Sequence, residues 1–438
     1  MADLAAVALT LPPSSSSSTS TATATMVNVS AGRRIRLCDV GVPLFLVSLF
    51  LSLPWYVYAA SSLGPRAFQD LPSDALSALT SHPDPVRNVD PNNPHSHLAN
   101  ILIPRVPDTA NNTKVRDYIV STMKKLKWHV EEDSFSDSTP YGVKKFTNVI
   151  ATKDPTALRR VVVAAHFDSK FFSSAPQNQV RATDSAAPCA FMLDLAETLD
   201  PLLDKRKERL DAGEEDDDDL ADTTLQLVFF DGEEAFKDWT ATDSIYGARH
   251  LARKWATTYI APHTKRRLVP YPTSTELSTI EHLILLDLLG APRPLIRSSF
   301  RETGWLFDHM QSAERRLAEH GAFTYEGDRA TTKDSWSSFF VPRTGREFGG
   351  GIEDDHIPFL RLGVDILHVI ANPFPRVWHK LTDDASALDI PTMRRWNLIL
   401  RVFMSEYLGL RPEGPQRDFE RSASELVSEF NSGSLTGL

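Results

Sequence analysis

The sequence contains 438 residues, of which 42% are hydrophobic and 24% are charged, a globular composition that excludes a wholly disordered or collagen-like chain. The 47 basic and 57 acidic residues give a formal net charge of -10, which argues against nucleic-acid binding because that function needs a dense basic surface. The two cysteines, Cys38 and Cys189, form no CxxC pattern, so any bound metal must be held by histidine and carboxylate side chains.

The first 60 residues predict a disordered segment followed by a membrane anchor. Residues 1–39 are dominated by Ser, Thr and Ala and end in a basic stretch, so we expect them to be disordered and cytoplasmic. The uncharged segment 40–60 has 21 residues, which at about 1.5 Å per residue span the roughly 30 Å core of a bilayer. This pattern predicts a single-pass type II anchor in a secretory-pathway membrane (ER or Golgi), with all later residues in the lumen. A cleaved signal peptide, which would give a secreted protein, is the alternative.

The rest of the chain predicts a stem, one domain and a tail. Residues 61–98 are rich in Pro, Asp and Asn, which predicts a stem or an irregular arm. Residues 99–410 predict a single domain with a helix at 115–126 near its start and a closing helix at 397–410. Residues 411–438 predict a loose tail. Asn111 begins an Asn-Asn-Thr glycosylation sequon on the predicted lumenal side.

Five short apolar runs within 99–410 predict strands that are buried on both faces. These runs are Phe146–Ala151, Val161–Ala165, Leu225–Phe230, Leu283–Leu286 and Ile366–Ile370. Amphipathic stretches lie between the runs, so the alternation predicts an α/β fold with a central, mostly parallel mixed sheet flanked by helices on both faces. The acidic stretch 204–224 interrupts one crossover and is predicted to be a solvated loop.

Polar side chains cluster where these predicted strands end, which is where ligands bind in such sheets. They are His166, Asp168, Glu233, Glu234, Asp287 and His379, together with Asp184, which opens the helix after the second run. Glu233 and Glu234 would repel each other if both were ionised, unless a cation or a shared proton relieved the repulsion. A metal could bind one glutamate while the other stays free as a base. Carboxylate and imidazole ligands without a thiolate suit a catalytic Zn²⁺ that keeps an open position.

Six segments of the chain resemble glutaminyl-peptide cyclotransferases in sequence, order and spacing. They lie at 164–172, 182–186, 229–236, 286–292, 353–359 and 372–379, and they include AHFDSKFF, DGEEAF and NPFPRVWH. The resemblance covers about residues 99–410 and implies the fold of the zinc-dependent exopeptidases. It also implies the activity, which is conversion of the N-terminal Gln of peptides or proteins to pyroglutamate with release of ammonia, with N-terminal Glu as an alternative substrate.

The resemblance further implies roles for individual residues. The implied ligands of one Zn²⁺ per chain are Asp184, Glu234 and His379. The implied catalytic carboxylates are Glu233, as general acid and base, and Asp287 and Asp354 beside it. The implied walls of the substrate pocket are Trp239, Ile352, Phe374 and Trp378. His166 and Asp168 match the second metal site of the related aminopeptidases.

The sequence departs from the family pattern at three points. Ala165 stands where the family often has a cysteine paired with the counterpart of Cys189, so we expect Cys189 to be a free buried thiol. Glu353 stands at the pocket rim where Gln is expected. The acidic stretch 204–224 has no counterpart in the family pattern.

Two other functions remain open at this point. A dizinc aminopeptidase that hydrolyses N-terminal residues is favoured by the presence of ligand types for two metals. A membrane-tethered binding protein that has kept the fold without catalysis is disfavoured, because Glu233 and the implied zinc ligands are intact. The protein is expected to be a monomer that contacts the membrane through its N-terminal helix and binds no nucleic acid.

Overall fold

The computed structural model describes residues 65–66, 68–172, 180–214, 222–260, 274–324, 336–345 and 351–413. The predicted disordered segment 1–39 and the predicted anchor 40–60 lie outside these residues, as does the tail beyond 413. Within the described ranges, every helix is too short or too polar to span a lipid bilayer.

Three helices and then three strands open the described part of the chain, and helices separate the strands from the third onward. The helices are α1 (Ser73–Ser81), α2 (His97–Ile101), α3 (Ala110–Lys125), α4 (Ala187–Asp211), α5 (Tyr246–Thr257), α6 (Gly304–Glu319), α7 (Ile357–Arg361) and α8 (Ile390–Tyr407). The strands are β1 (His129–Thr139), β2 (Gly142–Thr152), β3 (Arg159–His166), β4 (Thr223–Phe230), β5 (Ile280–Asp287) and β6 (Ile366–Ile370).

These strands form one mixed sheet in the order β1-β2-β4-β3-β5-β6. β3 pairs in parallel with β4 and β5, and β5 pairs in parallel with β6. β2 is antiparallel to both β1 and β4. The five predicted strands are therefore present, and the prediction of a mostly parallel mixed sheet in an α/β fold is confirmed.

Strand β1 was not predicted, because its sequence is polar. Only two of its side chains, Asp133 and Thr139, are buried. β1 lies at an edge of the sheet and pairs with β2 alone. An edge strand of this kind lacks the continuous apolar run that identifies strands buried on both faces.

The core consists of two apolar layers, one on each face of the sheet. Val161 and Val163 of β3 pack in the larger layer, which includes buried residues of α4 and α8. Val162 and Ala164 pack in the other layer, with Leu251 and other residues of α5. Because successive side chains of a strand point to opposite faces, a continuous apolar run in β3 fills both layers.

The described residues between 66 and 98 form an N-terminal arm that contains helix α1 and packs on the domain. Leu76 and Leu79 of α1 are buried in the larger apolar layer. The fully buried guanidinium of Arg401 donates to the carbonyl oxygens of Leu79 (3.0 Å) and Pro83 (2.7 Å) and pairs with Asp194 at 2.8 Å. Burial of apolar side chains and of a charge-assisted network makes the arm part of the domain.

The arm begins near the start of β5. The Arg66 guanidinium forms an ion pair with Glu281, the second residue of that strand, and its Cζ lies 4.7 Å from the centre of the Tyr407 ring. The backbone N–H of Leu71 donates to Glu406 Oε1 at 2.8 Å. The arm is thus attached at the amino-terminal end of the parallel strands.

Two further boundaries differ from those predicted. The acidic stretch 204–224 is helical at its start, because α4 continues to Asp211, and β4 begins at Thr223. Lys207 Nζ lies 3.6 Å from Oδ2 of Asp211, one helical turn later, and this ion pair favours the helix. The closing helix begins at Ile390 rather than at 397, since the Asp389 carboxylate accepts a hydrogen bond from the Thr392 N–H at 2.9 Å and caps it there.

Candidate active site

The side chains predicted to form a site meet at the carboxyl ends of the parallel strands. His166 ends β3 and Asp287 ends β5, while Glu233 and Glu234 follow β4 within four residues. Asp184 comes from the irregular turn Ala182–Ala186 before α4, and His379 comes from the loop after β6. The strand order β4-β3-β5-β6 places these ends side by side, as the sequence predicts.

Asp184, Glu234 and His379 form a compact group of metal-ligand type. Their donor atoms all lie within 4.8 Å of one another. His379 Nε2 is 3.6 Å from Asp184 Oδ2 and 3.4 Å from Glu234 Oε2. Asp184 Oδ2 and Glu234 Oε1 are buried and accept no hydrogen bond from the described residues. Buried carboxylate oxygens without a donor are costly, and a Zn²⁺ bound by two carboxylates and one imidazole would remove that cost.

Asp168 orients the two adjacent glutamates through their backbone. Its carboxylate oxygens accept hydrogen bonds from the N–H groups of Glu233 (3.1 Å) and Glu234 (3.3 Å). The preceding Gly232 has a φ of 79°, and a Cβ at this position would lie 2.5 Å from the Phe146 ring. Only glycine therefore fits the turn that brings both glutamates into the site.

The environment shifts the pKa values of the adjacent glutamates in opposite directions. Burial raises the pKa of Glu233 well above its usual range, and the negative charge of Glu234 adds to this effect, although His166 opposes it. Burial would also raise the pKa of Glu234, but Lys170, whose Nζ donates to Glu234 Oε2 at 2.9 Å, and His379 outweigh it and lower that pKa. Glu234 is thus favoured as an ionised ligand, while Glu233 is favoured as a group that takes up a proton.

Asp287 lies between His166 and Asp354 in this network. Its Oδ1 is 3.5 Å from His166 Nε2 and accepts a short hydrogen bond from the Ser185 hydroxyl. Burial, together with the charge of Asp354, raises the pKa of Asp287. The donor atoms of His166, Asp184 and Asp287 also lie within 4.8 Å of one another, so the described residues contain a second group of metal-ligand type.

Asp354 is buried and hydrogen-bonded through both carboxylate oxygens. His368 Nε2 lies 2.7 Å from its Oδ2, and the Asp355 N–H donates to its Oδ1 at 2.6 Å. Burial would raise the pKa of Asp354, but the hydrogen bond and charge of His368 outweigh it and lower this pKa. The pKa of the neighbouring Asp355 is raised by burial and by Asp354. Asp354 therefore adds negative charge beside Glu233.

The four predicted wall residues lie on three segments of the chain, around positions 239, 352 and 374–378. Trp378 stacks on His379 with ring centres 3.8 Å apart, and Phe374 lies 4.8 Å from Trp378. Ile352 and Phe374 pack on the same small apolar cluster. Trp239 and Trp378 are each 38% exposed. Large aromatic side chains that remain this accessible beside buried carboxylates are typical of the mouth of a binding pocket.

Several site residues were missed by the sequence analysis. Lys170 and Ser185 lie inside the segments 164–172 and 182–186, which resemble the family, so their positions could have been found there. His368 lies within the apolar run that predicts β6, where a single histidine carries no signal. As expected, Cys189 is a buried free thiol; burial raises its pKa to about 12, and its Sγ donates to the carbonyl oxygen of His166 at 3.2 Å.

Comparison with known proteins places this site in a family. The sequence model of peptidase family M28 matches residues 148–404. A glutaminyl-peptide cyclotransferase-like protein of Bos taurus is 43% identical over 318 residues, which cover 72% of this chain and 75% of that protein. The glutaminyl-peptide cyclotransferase of Drosophila melanogaster is 42% identical over 309 residues, which cover 70% of this chain and 78% of the relative.

A solved structure agrees with these relatives. The glutaminyl cyclase of Macrostomum lignano superposes with a TM-score of 0.64 at 36% sequence identity, covering 80% of this chain and 97% of that one. The family match includes β3 to β6 and the segments that carry the clustered side chains. The chain therefore belongs to peptidase family M28 and, within it, to the glutaminyl-peptide cyclotransferases.

Proposed function

We propose that the protein converts the N-terminal Gln of peptides or proteins to pyroglutamate and releases ammonia. The observation that carries this proposal is the cluster of Asp184, Glu234 and His379, whose donor atoms lie within 4.8 Å of one another beside the buried Glu233. Asp184, Glu234 and His379 would hold one Zn²⁺ per chain, which leaves Glu233 free to move a proton. The names of the relatives from Bos taurus and Drosophila melanogaster support the same reaction class.

The reaction joins two groups of one residue, so the protein must hold that residue in a folded conformation. The free α-amine attacks the side-chain amide carbon, a new C–N bond closes the five-membered ring, and the original C–N bond breaks. Positioning of the reacting groups can contribute several kcal/mol to such a step. When bound, Zn²⁺ would polarise the amide carbonyl and stabilise the negative charge that develops on its oxygen.

Glu233 would carry the proton in both directions. Its carboxylate would accept a proton from the attacking amine and return it to the departing ammonia, which a carboxylate with a raised pKa is suited to do. The negative charge of Asp354 would help to keep this pKa raised, and Asp287 would hold the network through its contacts with His166 and Ser185. Trp239, Ile352, Phe374 and Trp378 would enclose the Gln side chain and exclude water, so that the amine rather than water is the nucleophile.

A dizinc aminopeptidase is the second candidate, because His166, Asp184 and Asp287 also bring their donor atoms together. Such an enzyme would release a free amino acid by hydrolysis. The products therefore distinguish the two functions.

A coupled ammonia assay on a Gln-initiated peptide tests the proposal, with zinc quantified in the same preparation. We expect one ammonia per pyroglutamyl peptide formed, no free Gln, and close to one Zn²⁺ per chain. Release of free Gln with two required metal ions would replace this proposal with the aminopeptidase.

We further propose that segment 40–60 anchors the protein in a secretory-pathway membrane with the domain in the lumen. The three arginines on its amino side support this orientation. Asn111, an exposed residue in the first turn of α3, would then be available for glycosylation.

Protease treatment of sealed microsomes tests this topology. We expect the domain to resist digestion until detergent is added, and we expect Asn111→Gln to abolish any shift in mobility caused by removal of N-glycans. Digestion of the domain in intact microsomes would contradict the lumenal orientation.

A further inference from the structure

Glu353 carries a negative charge at the rim of the pocket. It follows the wall residue Ile352 and precedes the buried Asp354, but its own side chain is exposed. The indole N–H of Trp239 donates to Glu353 Oε2 at 3.1 Å. One neutral N–H donor does not cancel the charge of a carboxylate, so the hydrogen bond positions the charge beside an exposed aromatic wall without neutralising it.

The backbone around Glu353 is held on both sides. Ile352 packs against the apolar cluster that also contacts Phe374. Asp354 is fixed by its hydrogen bonds to His368 and to the Asp355 N–H. The backbone of Glu353 is therefore held by its two neighbours. Its carboxylate is held by the hydrogen bond from Trp239.

The wall segment around Trp378 carries positive charges of a different kind. Arg376 and Lys380 are exposed and lie two positions to either side of Trp378. Their charges end long flexible stems and can move into solvent, whereas the Glu353 carboxylate is held by Trp239. The formal net charge of -10 adds a long-range attraction for cationic peptides.

We infer that Glu353 is a specificity-determining residue that favours N-terminal Gln peptides in which a basic residue follows the Gln. This inference rests on the proposed function. If the N-terminal Gln side chain is enclosed in the pocket, the next residue of the peptide must lie at the rim, near Glu353. Unit charges about 7 Å apart in a partly exposed site attract each other enough to change kcat/KM by roughly three- to tenfold. The same geometry disfavours an acidic residue at that position.

The test compares Gln-Lys, Gln-Ala and Gln-Glu peptides with amidated C-termini on the full-length protein. In E353Q, the side chain can still accept a hydrogen bond from Trp239 but has no charge. We expect the ratio of kcat/KM for Gln-Lys to that for Gln-Glu to fall about tenfold in E353Q, mainly through KM. E319Q removes the same charge at the distant end of α6 and should leave the ratio unchanged. The wild-type preference should also weaken as ionic strength approaches about 1 M, where the Debye length is roughly 3 Å.

Two outcomes would overturn the inference. One is a ratio that changes less than about twofold in E353Q. The other is an equal loss for all three peptides, which would mean that Glu353 only orients Trp239. Peptide affinities measured by calorimetry report the same charge preference without turnover. A charge preference in binding without ammonia release would thus support the role of Glu353 while contradicting the proposed reaction.

Discussion

Glu233→Gln is expected to lower kcat by on the order of 10²-fold or more while leaving zinc content and KM nearly unchanged. Gln has the shape and volume of Glu but cannot accept the proton of the attacking amine. The backbone N–H of residue 233 would still donate to Asp168, so the turn should keep its conformation. Steady-state kinetics with metal analysis of the same samples measures both effects.

Glu234→Gln is the matched control, because it makes the same chemical change one residue away. The substitution replaces a charged group of the proposed zinc site with a neutral amide. Glu234 Oε2 lies 3.4 Å from His379 Nε2, in the same cluster as Asp184. We expect this variant to lose zinc and, with it, activity. A metal-free Glu233→Gln together with a metal-bound but slow Glu234→Gln would reverse the roles proposed for the two residues.

Asp184→Ala is expected to abolish zinc binding and activity together. Asp184 contributes a buried oxygen to the proposed zinc site and lies 3.1 Å from His166 Nε2 through its other oxygen. The wild-type enzyme should lose activity to a chelator and recover it when zinc is added, whereas the variant should not recover. Metal analysis before and after dialysis, paired with activity, gives the result.

Asp308→Ala separates loss of the metal site from a general effect of removing a carboxylate. Asp308 is an exposed residue of α6 that pairs with Arg343 at 2.8 Å. We expect Asp308→Ala to keep zinc and activity. Thermal unfolding should show that Asp184→Ala and Asp308→Ala are both folded. Full activity of Asp184→Ala without zinc would contradict the proposed metal role, and two required ions per wild-type chain would favour the aminopeptidase.

The sequence predicts the central strands well because burial on both faces demands continuous apolar runs. The same reasoning fails for β1. It lies at the edge of the sheet and pairs only with β2, so most of its side chains are not buried and can be polar. For the N-terminal arm, composition predicts the irregular backbone but not the contacts that fix it to the domain. The Pro, Asp and Asn residues there indicate irregular structure, but Leu76 and Leu79 and the buried contacts of Arg401 fix the arm to the core through partners distant in sequence.

The site could be predicted to the extent that its residues follow strand ends. His166 and Asp287 come directly after apolar runs, and Glu233 follows within three residues, so parallel pairing brings them to one edge of the sheet. The contacts of Lys170 with Glu234 and of His368 with Asp354 depend on how loops and strand faces meet in space. No local pattern specifies such contacts, and the opposite pKa shifts of the adjacent glutamates result from them.

The attachment of the N-terminal arm beside Glu281 has a consequence for access to the pocket. Glu281 and Asp287 lie near opposite ends of β5, about 20 Å apart at roughly 3.3 Å per residue. The start of the arm therefore lies at the opposite end of β5 from Asp287 and the other site residues that follow the parallel strands. A folded protein could therefore present its first residue at the mouth formed by Trp239 and Trp378 without contacting the start of the arm.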